Sequence, residues 1–132
     1  MNPSRPGARP WDPSAVALIR LLTTMARGPK RDGVFALWLT LRVAQDLLLD
    51  PPIAERAHRR RVAALERRLS SLTLPPPLRR ALAAAVGQLR EARPDAAVMA
   101  LNQLAAPARD TLGGEAGDAM AHAARASRGV TP

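Results

Sequence analysis

The chain has no cysteine and no tyrosine, and its only aromatic residues are Trp11, Phe35 and Trp38. Without thiols, disulfides, cysteine-ligated zinc, iron–sulfur clusters and thiol nucleophiles are excluded. The absence accords with a reducing compartment, and a cytoplasmic location is expected. With aromatics at 2% and apolar residues at 47%, the core has to be built from Leu, Ala, Val and Met. Long apolar runs are missing as well. None exceeds the six residues of Val34–Leu39, where a membrane-spanning helix needs about 20. Near the N-terminus, Arg5, Arg9 and the stretch AVALIRLLTTMA resemble a signal peptide. However, Arg20 splits the apolar part, Trp11-Asp12-Pro13 precedes it and no A-x-A site follows, so no cleaved signal is expected.

Also missing is any segment that alternates apolar and polar residues with period two, and β-branched residues are sparse. The chain is therefore expected to be all-α. Its 132 residues suffice for one core. The expected organisation is a basic, Pro-rich disordered tail over 1–12, one helical domain over 13–126 and a flexible tail over 127–132. Punctuation divides the domain. Asp12-Pro13 is a helix-start signature, and Val16, Ile19, Leu22 and Met25 continue at helical spacing up to Gly28-Pro29. A second helix is expected over 32–49, ended by Asp50-Pro51-Pro52. A third runs from 53 to about 72 and a fourth from 78 to 92, after Pro75-Pro76-Pro77. A fifth spans about 94–106, with Val98, Leu101 and Leu104 or Ala105 on one face. Thr111 to Gly114 then reads as a turn, and a sixth, alanine-rich helix covers 115–125. Short Pro/Gly connections imply antiparallel neighbours, hence a small bundle of about five to six helices.

The second helix is apolar on more than one side. At 100° per residue, Val34, Leu37, Trp38, Leu41, Ala44 and Leu48 share a face, and Phe35, Leu39 and Val43 lie opposite. A helix of this kind is buried among others. Either it is the centre of the bundle, or Phe35, Leu39 and Val43 are covered by a second copy of the chain in a homodimer.

What the sequence has in excess is arginine. Lys and Arg number 20 against 11 Asp and Glu, for a net charge of +9, and Lys30 is the only lysine. Such a balance favours association with anions, although arginine, alanine and proline are also what a GC-rich genome supplies. Arginine is densest from Ala54 to Arg80, eight residues against two glutamates. On the third helix His58, Val62, Leu65, Leu69 and Leu72 form an inward stripe. Arg61 and Arg68 flank it on one side, Arg59 and Glu66 on the other. Arg56, Arg60 and Arg67 point directly away from it, a ridge without an acid, and Arg79 and Arg80 open the next helix. A solvated outer face needs no ligand. If the ridge has one, the partner is an acidic protein surface gripped by guanidinium–carboxylate contacts, or nucleic acid held without sequence preference. For nucleic acid the case rests on charge alone, because single-strand binders add aromatic platforms and no zinc finger, RNP or KH signature is present.

One motif invites catalysis. Glu55-Arg56-Ala57-His58 has the Glu-x-x-His spacing of di-iron bundles, but the remaining acids and His122 are too few to complete a ligand set, unless a two-fold related copy supplies the second half. Glu55 also precedes Arg59 by four residues, the favourable order for a surface ion pair. No G-x-S-x-G, P-loop, G-x-G-x-x-G or H-E-x-x-H occurs, so no cofactor is expected. The sequence favours a non-enzymatic adaptor, scaffold or regulator acting through Arg56, Arg60, Arg67, Arg79 and Arg80 toward an acidic partner. Sequence-neutral nucleic-acid binding comes second, and a metal-dependent enzyme at Glu55 and His58 third.

Overall fold

A computed structural model describes residues 12–49 and 55–128. They form α1 (Asp12–Thr24), α2 (Pro29–Leu49), α3 (Glu55–Ser70), α4 (Pro76–Leu89), α5 (Pro94–Leu112) and α6 (Gly114–Arg128), with no strand among them. The all-α bundle read from the sequence is therefore what forms.

Proline and glycine set the boundaries. Pro76 and Pro77 occupy the first positions of α4, and Pro94 starts α5, where the missing N–H would have had no helical partner in any case. Gly113, at φ 107°, ends α5 and lets α6 begin at the next residue. α2 opens at Pro29, three residues earlier than Asp32; the Asp32 side chain instead accepts a 2.9 Å hydrogen bond from the Thr73 amide between α3 and α4.

α3 and α4 end earlier than expected, at Ser70 and Leu89, whereas α5 and α6 extend further because burial outweighs local signals. α5 does not stop before Pro107 but runs through it to Leu112, so Thr111 is helical. An internal proline costs about 3 kcal/mol. Ala108, fully buried beyond it, and Leu112, half-buried with its methyls against Gly33, offset that cost. Ser127, placed by its sequence neighbours in a loose tail, is a buried residue of α6 whose hydroxyl donates to the Ala123 carbonyl. The basic tail over 1–11, the Asp50 cap and the start of the third helix at 53 lie outside the described residues.

α2 is the central helix and touches every other one. Val34, Leu37, Leu41 and Leu47 are at most 1% exposed. The longest contacts elsewhere are in the α5–α6 hairpin, whose helices run antiparallel: Arg109 meets Gly117 and Asp118, and Asn102 receives a hydrogen bond from Arg128. α3 is peripheral and touches only α2 and α4. α1 is rotated from its expected setting. Ser14 and Leu18 are buried, whereas Val16 and Ile19 are 46% and 43% exposed. The spacing i, i+3 fits either side of this helix, because Ala15, Ala17, Leu21 and Leu22 surround it with further apolar residues.

Candidate binding surface

α3 carries six arginines and two glutamates in 16 residues. Its inward stripe is as expected as far as Leu69: His58, Val62 and Leu65 are buried and Leu69 is half-buried, but Leu72 lies beyond the end of the helix. His58 is the anchor. A carbonyl can only accept, so its Nε2–H donates to the Leu89 carbonyl at 2.6 Å, while Nδ1 is buried without a partner. This bond joins the start of α3 to the end of α4, which makes the two helices antiparallel. It adds a second donor to a carbonyl at a helix terminus, which also accepts from the Ala92 amide at 3.2 Å.

The arginines divide by direction. Arg61 reaches across to Asp46 of α2 at 3.9 Å. Arg68 lies over the Phe35 ring at 5.5 Å and Arg42 over Trp38 at 5.3 Å, with the two rings 6.1 Å apart. The aromatic faces are therefore covered by the chain's own guanidinium groups. On the opposite flank Glu66 accepts from Arg90, the residue that caps α4. Arg56, Arg60 and Arg67 are exposed on the remaining side, and no carboxylate among the described residues pairs with them. Arg80 is likewise exposed and unpaired there. Arg79 donates to the Leu74 carbonyl at 3.4 Å.

α3 also lies against part of the second apolar face of α2. Val43 is buried within the chain, 9% exposed, while Phe35 and Leu39 are half-buried, and Leu39 and Val43 line the groove between α2 and α3. Trp38, expected with the core face, sits instead at the edge of the α2–α3 groove.

Glu55 is exposed and His58 is buried and engaged. Among the described residues, no three His, Cys, Asp or Glu side chains lie close enough together to hold a metal ion. No described helix is long and apolar enough to cross a membrane.

The sequence did not reveal a groove of about 540 Å³ between α3 and α4. Glu66, Leu69, Ser70, Arg79, Ala83 and Arg90 line its accessible part, while Leu74, Leu82 and Val86, at most 5% exposed, belong to the core beneath it. The signal was present in α4, where Arg79, Ala83, Val86 and Arg90 recur at i, i+4, i+7 and i+11 along one face. Only the splay of α3 from α4 makes that stripe a groove wall. In comparisons with family models, curated proteins and solved structures, nothing matches the chain.

Proposed function

We propose that this protein is a non-enzymatic binding module that docks an acidic protein partner on the outer face of α3. The observation that carries this reading is the contrast among the arginines. Arg61, Arg90 and Arg109 pair with carboxylates of the chain. Arg56, Arg60 and Arg67 stand together facing solvent without an acid. Planar guanidinium groups so placed suit bidentate contact with external carboxylates, and the net charge of +9 draws such a partner in. An acidic protein is favoured over nucleic acid because Arg68 and Arg42 already cover Phe35 and Trp38, leaving no free stacking platform among the described residues.

The test is affinity capture with wild type beside a variant carrying Arg56→Gln, Arg60→Gln and Arg67→Gln. An acidic protein retained by wild type and lost by the variant is the expected result; identical partner sets would reduce the ridge to a solvated face. DNA or RNA retarded at low salt, with affinity falling steeply as salt rises, would transfer the ridge to nucleic acid.

A further inference from the structure

The groove between α2 and α3 has a volume of about 310 Å³ and lies on the flank of α3 opposite Glu66 and Arg90. Its walls are the half-buried Trp38, Leu39 and Ala64, over a floor of Val43 and Leu65. Arg42, Arg61 and Arg68 stand exposed around these walls. Asp46 is the one carboxylate in the lining, and Arg61 is its partner at 3.9 Å. Arg42 and Arg68 are left with positive charge that nothing in the groove offsets. We infer that this groove binds a small aliphatic carboxylic acid in its ionised form, with the head group at Arg42 and Arg68 and the chain along Leu39 and Ala64. The site is separate from the ridge, because Arg56, Arg60 and Arg67 do not line it.

Charge, the aromatic rings and the length of the groove select this ligand. Arg42 lies over Trp38 and Arg68 over Phe35. A guanidinium group over a ring is engaged through its face, so its in-plane N–H groups remain available. Neither Arg42 nor Arg68 pairs with a carboxylate or donates to another acceptor among the described residues. The rings also hold the two cations in place, which lowers the entropy lost when an anion binds. Two planar donor forks suit a planar carboxylate. The body is aliphatic because an aromatic one would need an open ring face, and Phe35 and Trp38 already lie against each other and under guanidinium groups. Length follows from the pairing of the helices. Arg68 meets Phe35 and Arg61 meets Asp46, so α2 and α3 run antiparallel and these contacts mark the two ends. Arg61 and Arg68 are seven residues apart, about 10 Å at a rise of about 1.5 Å per residue. The volume of about 310 Å³ stands at the lower end of the range of about 300–1,000 Å³ typical of ligand sites, which suits a short chain. Asp46 repels a carboxylate from the Arg61 end and so sets the direction of the acid.

The probe is octanoate, kept below its micelle concentration, with octanol and acetate as controls that lack the charge and the chain respectively. Affinity is read by isothermal titration calorimetry on the full-length chain. The place of binding is read from the emission of Trp38 in a Trp11→Phe background, where it is the only tryptophan. Arg42→Gln combined with Arg68→Gln removes the head-group contacts, and Ala64→Phe fills the groove. Arg125→Gln, exposed on α6 and outside the groove, controls for the loss of charge as such. Circular dichroism checks that each variant is folded. Octanoate is expected to bind saturably, to shift Trp38 emission and to bind at least about 10-fold more tightly than octanol or acetate. The double variant and Ala64→Phe should each lose about 10-fold, and Arg125→Gln should stay within about 2-fold. Absence of saturable binding overturns the site, as does full affinity in the double variant or in Ala64→Phe. Octanol or acetate bound as tightly as octanoate also overturns it. Binding that leaves Trp38 emission unchanged, or that falls as far in Arg125→Gln as in the double variant, places the acid elsewhere and overturns it too. The ridge reading is judged separately, by affinity capture.

Discussion

Gly117→Val is expected to lower stability by about 3 kcal/mol, the upper part of the usual range for overpacking. A Cβ at this position of α6 would stand 2.5 Å from Cβ, 2.9 Å from Cα and 3.1 Å from the amide nitrogen of Arg109 in α5. None of these atoms is the end of a flexible side chain that could swing aside. The helices would have to separate, which would loosen a hairpin whose buried residues include Ala97, Ala100, Ala108, Ala116, Ala123 and Ala124. Intrinsic propensity acts in the opposite direction. Alanine is better than glycine in a helix by about 1 kcal/mol, so Gly117→Ala should destabilise by a smaller net amount, about 1–2 kcal/mol. Gly87 is the control. It lies within α4, where an added Cβ meets nothing within 4 Å, and Gly87→Ala should stabilise by about 0.5–1 kcal/mol. Chemical denaturation of the three variants reads both signs. If Gly117→Ala proves as stabilising as Gly87→Ala, the close approach of α5 and α6 is wrong.

The second large effect belongs to His58. His58→Ala removes a buried ring and the shorter, 2.6 Å, of the two hydrogen bonds to the Leu89 carbonyl, leaving the one from the Ala92 amide. Cavity and lost hydrogen bond together should cost about 3 kcal/mol, or roughly 10 °C in melting temperature for a chain of this size. His58→Phe keeps most of the ring volume and isolates the hydrogen bond, at about 1–2 kcal/mol. The loss should be local. α3 touches only α2 and α4, whereas α5 and α6 bury most of one another's facing surfaces. In native-state hydrogen exchange, α3 amides of His58→Ala should lose protection while those of α5 and α6 keep most of theirs. A uniform loss across all helices would show that α3 is not a separable unit.

α3 was legible in the sequence to an unusual degree. Residues at 100° steps separated His58, Val62 and Leu65 from Arg56, Arg60 and Arg67, and placed Arg61 and Arg68 opposite Glu66. The structure finds those flanks against α2 and α4 respectively. A helix with sharply segregated apolar and charged residues admits one orientation only, because any other buries a guanidinium group without a partner. α1 and α2 were less legible because apolar residues surround them. Val16 and Ile19 face water and Leu18 the core, a choice that small differences in packing decide. Pro107 and Ser127 misled for another reason: each is a local signal for a helix end, and each is overruled by a buried neighbourhood contributed by residues distant in sequence.

By itself, then, the sequence determined the helical class, most of the breaks between helices and the direction in which the arginines of α3 point. These depend on properties carried along a single segment: periodicity, proline and glycine chemistry, and the cost of burying charge. Only the tertiary structure decided which helix lies beside Phe35, Leu39 and Val43, that His58 is tied to Leu89, and that α3 and α4 part to leave a groove between Arg79 and Arg90. Those outcomes depend on how the surfaces of separate helices fit one another, and no single helix encodes that fit.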